Sequence, residues 1–472
     1  MALQFSINDK LLKVENISPT RTVLDYIREN LVLTGTKEGC AEGDCGACTI
    51  VLAETVNGET AYKAVNSCLL MLPQIDGKHV ITVEGLEHSN DDNESQLDPV
   101  QSAMVKTDGT QCGFCTPGII MSLFALRQSD SIITDNIIHD NLAGNLCRCT
   151  GYRPIVEAAR EACGTSPTKR IFAELPVVSE YKEGHQTFFV PKNIEQMISV
   201  YEANPSANLL CGGTDTGLLV SKDRQKLNKV IYTTHVSELL EIEETGTSIT
   251  FGAAVTYSEL LPHVERLFPS FATLVTRIGS VQIRNVGTIG GNIGNASPIG
   301  DTLPCLIALD ATILLCSKAG ERELPIDEFF LGYRKTDLRK GEFIKAVCIP
   351  KLGPTQKFRT YKISKRYDQD ISAVIGAYRI EFKGKIVSEA RIAYGGMAAT
   401  PKRGKGCEAT LTGKPWNAET MHLTSSMIVK DYQPISDFRA GKDYRLKVAA
   451  NLFERLFQDI DGSEQVFEVV GL

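Results

Sequence analysis

Apolar residues in this chain recur in short runs with two different periods. Phe5-Ser6-Ile7 and Leu11-Leu12-Lys13-Val14 lie either side of Asn8-Asp9-Lys10, a pattern that predicts a β-hairpin. Val23, Leu24, Ile27 and Leu31 then follow at helical spacing behind Thr22, a residue suited to capping. Thr49-Ile50-Val51-Leu52 and Val80-Ile81-Thr82-Val83 read as strands. Two helices are expected further on, each with an early proline that needs no N–H partner. The first has Thr116 as cap and Pro117 before Ile119, Ile120, Leu123 and Phe124; the second begins at Pro154 and carries Ile155, Ala158, Ala159 and Ala162. Alternation over 373–380 suggests a strand.

These patterns divide the chain into 1–87, 88–163, a small and polar linker at 164–183, then 184–353 and 354–472. The stretch 89–97 is polar and acidic, a surface connection. The mixture of strands and helices predicts an α+β multidomain protein. At 472 residues, 43% hydrophobic and 23% charged, the chain can bury large cores without disulfides. A net charge of −7 argues against a nucleic-acid partner. No signal peptide and no run of about 18 apolar residues is visible, so a cytoplasmic protein with no membrane association is expected.

Cysteine changes the picture. Of fourteen, nine lie at or before Cys163. Cys40, Cys45 and Cys48 have the spacing C-x4-C-x2-C, with Cys68 following, the arrangement that holds a plant-type 2Fe–2S cluster. Small residues between the thiols let backbone N–H groups turn toward sulfur. Zinc prefers two separated C-x2-C pairs and suits this loop poorly. Cys112 and Cys115, then Cys147 and Cys149, form a second set, each pair just before an expected helix whose positive end favours an anionic group. Zinc remains an alternative for this second set, and with it a non-redox zinc-binding scaffold. Cys211, Cys305, Cys316, Cys348 and Cys407 read as core residues.

Two glycine-rich stretches follow. Leu209-Leu210-Cys211-Gly212-Gly213-Thr214-Asp215 is an apolar strand running into a turn. The stretch 287–300 holds five glycines among Asn, Ser and Thr. It is neither a G-x-G-x-x-G nor a P-loop, and reads either as a diphosphate cradle or as an ordinary turn. Gly290 and Gly291 would serve close backbone approach to a diphosphate, or a positive φ.

The first cysteine unit looks like a β-grasp ferredoxin. QCGFCTPG and NLCRCTGYRPI resemble the second iron–sulfur domain of the molybdenum hydroxylases, the family of xanthine dehydrogenase and aldehyde oxidase; that domain is a helical bundle. LLCGGTDTG and QIRNVGTIGGNIGNASPIGD resemble the same family's two FAD loops, on a vanillyl-alcohol-oxidase-like domain. Residues 392–398 and 439–452 resemble its C-terminal α+β flavoprotein module.

The resemblance implies that Cys40, Cys45, Cys48 and Cys68 hold one 2Fe–2S cluster, and Cys112, Cys115, Cys147 and Cys149 another. Gln111 and Cys149 match positions against the pterin. Leu209, Leu210, Cys211, Gly212, Gly213, Thr214, Asp215, Thr288, Gly290, Gly291, Asn292, Asn295, Ser297, Asp301, Ile344 and Lys362 match FAD-contacting positions, while Ile278 stands where some relatives cover the flavin with an aromatic ring. The loop 365–370 matches one that governs access of NAD. No molybdopterin domain is recognised in the sequence. The resemblance therefore implies an electron-transfer subunit of the xanthine dehydrogenase type, without a hydroxylating residue of its own. It would work with a molybdopterin-binding large subunit in a heterotetramer of two pairs and pass electrons through the clusters to FAD and NAD. A subunit for an aldehyde or an N-heterocycle is the alternative.

Overall fold

The computed structural model describes residues 2–56, 58–89, 95–129, 132–167 and 169–461. Most of the expected acidic connection, 90–94, lies outside them. The chain forms two compact units: 1–237 with 256–258 and 279–288, and the remainder.

In the first unit the opening hairpin pairs Leu3–Ile7 with Lys10–Val14. Asn8 and Asp9 both have positive φ, 50° and 65°, as a two-residue turn matched to strand twist requires. The sheet is completed in the order Lys10–Val14, Leu3–Ile7, His79–Ile81, Thr49–Val56, Glu59–Asn66. Thr22 caps as expected, its hydroxyl accepting from Asp25 N–H, but only Val23–Asp25 is α-helical; Tyr26–Asn30 widens to a π turn. Val51, Ala53, Ala64 and Ile81 of the sheet share a core with Ile119, Leu123, Ile155 and Ala158 of the helices Thr116–Arg127 and Arg153–Cys163. The first of these helices has Cys115, not Thr116, in the N-cap position, with no side-chain capping bond; the Thr116 hydroxyl is instead 2.6 Å from that of Thr110. The second starts at Arg153, one residue before Pro154, behind Tyr152 in the left-handed region.

The stretch 169–183 is laid along this unit. Val178 N–H donates to Asp76 (2.8 Å), and Glu180–Glu183 is a strand, within the expected linker. Its Tyr181 is buried because it joins Phe188, Leu210 and Tyr232 in one core with Leu3 and Phe5. That strand ends a four-stranded sheet ordered Asn208–Leu210, Lys229–Tyr232, Gln186–Phe189, Glu180–Glu183.

The second unit has a five-stranded sheet, Ile242–Glu244, Ser248–Gly252, Phe343–Pro350, Thr312–Ser317, Gly320–Pro325, and a four-stranded one, Gln356–Ile363, Val374–Lys383, Ile386–Gly395, Lys402–Arg403. The strand at 374 exists, but the expected alternation does not. Residues 374–380 are all buried, because helices Thr302–Ala308 and Lys442–Asp461 both pack on it. Arg445 of the last helix is 1% exposed; its guanidinium donates to Ala373 O (2.6 Å), Gly396 O (2.8 Å) and the Asp437 carboxylate (2.8 Å). Ile289–Asn295, expected as loop, is a short helix, drawn into shape by buried Ile289 and Ile293.

Candidate functional site

The cysteine loop 40–48 has no regular secondary structure, and Ala41, Gly43 and Gly46 take positive φ. This winding points N–H groups inward. Cys40 Sγ accepts from Glu42 (3.4 Å), Asp44 (3.3 Å) and Cys45 (3.3 Å), while Cys45 Sγ accepts from Cys40 N–H (3.3 Å). A hydrogen bond from the Cys45 thiol, helped by those three N–H groups and opposed by burial, brings the Cys40 thiol down to about 5; the same bond raises Cys45. Cys48 and Cys68 are buried with their sulfurs 3.3 Å apart, and the shared hydrogen bond lowers Cys48 and raises Cys68.

The second set pairs Cys112 with Cys149 and Cys115 with Cys147. Cys112 and Cys149 are exposed, as is Gln111 beside them. Phe114 N–H, then the Cys149 thiol, lowers Cys112. Burial, with a hydrogen bond to Cys147, pushes Cys115 up to about 12. Burial also opposes ionisation of Cys147, but the Thr150 hydroxyl (3.2 Å) and N–H, with the Cys115 thiol, bring it down on balance.

Within the first unit the two cysteine loops touch. Leu146 N–H donates to Cys45 O (2.9 Å), and Asn145 Nδ2 donates to Gly46 O (3.1 Å). A Cβ on Gly46 would lie 2.1 Å from Gly144 O, and one on Gly118 would lie 2.1 Å from Gly46 O. On another side the first loop meets the expected flavin segment. A Cβ on Gly217 would lie 2.5 Å from the carbonyl oxygen of Leu69, the neighbour of Cys68. Gln74 Nε2 donates to Cys211 O (3.5 Å), and Lys222 Nζ donates to Cys40 O (3.1 Å). Leu209 and Leu210 end a strand; Gly212, Gly213, Thr214 and exposed Asp215 turn into helix Thr216–Ser221. Gly212 is brought against Val286 and Gly287: its Cβ would stand 1.7 Å from Val286 O. Thr288 is buried and bridges Thr256.

The remaining expected flavin residues lie in the second unit. Gly290 packs on Ala253, where a Cβ would meet that of Ala253 at 2.4 Å. Neither Gly290 nor Gly291 has the positive φ entertained from the sequence, because both are inside the 289–295 helix, Gly291 on its exposed side. Asn292 Oδ1 accepts from Thr302 (2.6 Å), Asn295 ends the helix, and Ser297 Oγ accepts from Ile299 N–H (3.4 Å). Ile344 is buried near Gly294. Asp301 and Lys362 form a buried ion pair at 2.6 Å; Ser372 donates to the other Asp301 oxygen (2.8 Å) and Lys362 Nζ also to Arg277 O (2.7 Å). The loop 365–370 is largely exposed, and Arg277 lies 4.4 Å over the Tyr367 ring.

The composition and pattern of the cysteine loops brought out the thiols but not Asn145, Ser122 and Gln282, whose side chains are fully buried between those loops. The donor sets suit iron–sulfur clusters. They are all soft sulfur with N–H groups aimed at it, and the thiols meet as four pairs, as two-iron clusters with two thiolates per iron require. Among the described residues no three or more Cys, His, Asp or Glu side chains gather around one ion-sized point.

Four family models match in succession. They are a 2Fe–2S iron–sulfur cluster binding domain (5–72), a [2Fe–2S] binding domain (82–160), an FAD binding domain in molybdopterin dehydrogenase (181–352) and a CO dehydrogenase flavoprotein C-terminal domain (359–460). Similar curated proteins include xanthine dehydrogenase of Emericella nidulans, 30% identical over 97% of this chain, and xanthine dehydrogenase 1 of Arabidopsis thaliana, 32% over 92%. The chain spans 38% of the length of each. Among solved structures, a carbon monoxide dehydrogenase chain of Hydrogenophaga pseudoflava matches 57% of this chain and 94% of its own at 27% identity and TM-score 0.55. A chain of quinoline 2-oxidoreductase from Pseudomonas putida matches 59% and 98% at 25% identity and TM-score 0.54. With two 2Fe–2S-binding domains, an FAD-binding domain and the flavoprotein C-terminal domain in this order, the chain belongs to the molybdenum hydroxylase family.

Proposed function

We propose that this chain is the electron-transfer part of a xanthine dehydrogenase-type enzyme, carrying electrons from purine hydroxylation at a partner-bound molybdopterin to FAD and then NAD. When bound, 2Fe–2S clusters pass single electrons and the flavin gathers two for hydride transfer. The observation that carries the reading is the succession of contacts in the first unit. The loop of Cys147 and Cys149 touches the loop of Cys45 and Cys48, and the neighbour of Cys68 touches the Gly212–Gly217 turn.

The chain's own residues have four tasks. Cys40, Cys45, Cys48 and Cys68 hold one cluster; Cys112, Cys115, Cys147 and Cys149 hold the other. The N–H groups of Glu42, Asp44 and Cys45 stabilise the negative sulfur of Cys40. Buried Cys48 and Cys68 keep water away. Exposed Gln111, Cys112 and Cys149, with half-exposed Phe114 and Leu146 nearby, present the docking face for the molybdopterin subunit. FAD is assigned to the residues matched above, from Leu209 to Lys362, and the complex to a pair of such pairs, since two-fold assemblies are commonest.

The chain alone should contain iron and flavin and reduce dyes from NADH, yet hydroxylate no purine until the molybdopterin subunit is added. Purine hydroxylation by the chain without molybdenum would refute the division of labour. The likeness to a quinoline oxidoreductase favours one second reading, an N-heterocycle as substrate; comparing xanthine, hypoxanthine and quinoline as reductants of the reconstituted complex decides between them.

A further inference from the structure

We infer that Asn145 is a positioning residue that fixes the spacing of the two cysteine loops, and with it the rate at which electrons cross between them. The inference rests on the assignment of a cluster to each loop. Asn145 is 1% exposed and uses all four hydrogen-bonding positions of its amide. Nδ2 donates to Gly46 O (3.1 Å) and Thr49 Oγ1 (3.3 Å), which flank Cys45 and Cys48. Oδ1 accepts from Ser122 Oγ (2.6 Å), on the helix that follows Cys115, and from Gln282 Nε2 (2.9 Å). Gln282 Nε2 also donates to Ser122 Oγ (2.8 Å), closing the network. Asn145 itself stands two residues before Cys147.

Two glycines line the Asn145 amide and a third lines that of Gln282, so no side chain at these positions holds the loops apart. A Cβ on Gly46 would stand 2.5 Å from Asn145 Nδ2, one on Gly118 3.2 Å from it, and one on Gly144 2.1 Å from Gln282 Oε1. The backbones therefore meet directly, and the amide, beside the Leu146 N–H to Cys45 O bond, sets their register. Gln282 Oε1 is left without a partner among the described residues, but the Asn145 amide is itself fully satisfied, and a satisfied buried amide specifies one arrangement where an apolar filler would allow several. Electron tunnelling falls exponentially with distance, so register here translates into rate.

The test uses the whole chain, reconstituted with iron and FAD. Asn145→Ala removes the amide; Gly118→Ala pushes Gly46 away while removing no polar group. Iron content and absorption report whether both clusters form. Electron paramagnetic resonance of the fully reduced chain reports the magnetic splitting between them, and rapid freezing reports the order in which they are reduced. Both variants should keep their iron and each cluster's own signal, lose the mutual splitting, and show slowed transfer between clusters. Parent-like splitting and transfer with full iron in Gly118→Ala would overturn the inference, even if Asn145→Ala fails to assemble. Absence of two cluster signals from the unaltered chain would instead overturn the assignment of clusters.

Discussion

The Asp301–Lys362 pair offers a quantitative test inside the second unit. Both side chains are nearly buried, 10% and 2% exposed, with Nζ and Oδ2 2.6 Å apart. Lys362→Met keeps the side chain's length and apolar stem but leaves the Asp301 carboxylate with Ser372 as its hydrogen-bond partner and only the more distant charge of Arg277. Stranding a buried charge in this way costs about 3–5 kcal/mol. Asp301→Asn with Lys362→Met removes both charges, and the interaction between the two substitutions should recover about 1–3 kcal/mol of that loss. Trp416 is the sole tryptophan, and it lies in the same unit against Phe382 and Phe457. Its fluorescence during urea unfolding therefore follows this unit. With a slope near 3 kcal/mol per M, the single variant should lower the midpoint by about 1–1.7 M. A shift under about 0.3 M at that slope, less than about 1 kcal/mol, would show that the pair is worth no more than a surface contact and refute the reasoning.

Cys149→Ser should leave NADH-to-dye transfer intact while slowing electron entry from the molybdopterin subunit, since serine is a harder and poorer ligand for iron–sulfide; equal loss of both activities would count against the order of the centres. Gly212→Ala puts a methyl where 1.7 Å separates it from Val286 O, so the variant should purify poor in flavin with iron retained, checked by the ratio of flavin to iron absorbance. His235 is held down to about 4 by burial, with Lys78 and Lys192 adding to it, against an ordinary 6.5. The unfolded chain therefore binds the extra proton first. This contribution to stability is complete above about 6.5 and is lost as pH falls toward 4, so His235→Gln should flatten the decline of the first unit's unfolding midpoint over that window.

Much of this architecture was legible because its causes are local. Asn8-Asp9 between alternating runs specified the hairpin, and Thr22 specified a cap. Glycine in the 289–295 stretch argued for loop on propensity, yet buried Ile289 and Ile293 and the fit of Gly290 on Ala253 made it helical. Tertiary packing overrode propensity there. The strand at 374 misled by its expected alternation because two helices far along the chain cover it. Asn145 stands within a telling motif, but its partners lie up to 137 residues away, and no local pattern connects Asn145, Gly46 and Gln282.

Arg445 has a consequence for biosynthesis. The strands Gln356–Ile363, Val374–Lys383 and Ile386–Gly395 leave the ribosome before the helix Lys442–Asp461 that delivers this guanidinium to Ala373 O and Gly396 O. Until then those carbonyls and the apolar surface over Val374 and Tyr378 lack their cover. The C-terminal module must wait, partly collapsed, for the helix Lys442–Asp461, and in that interval its uncovered apolar surface is open to aggregation or to a chaperone.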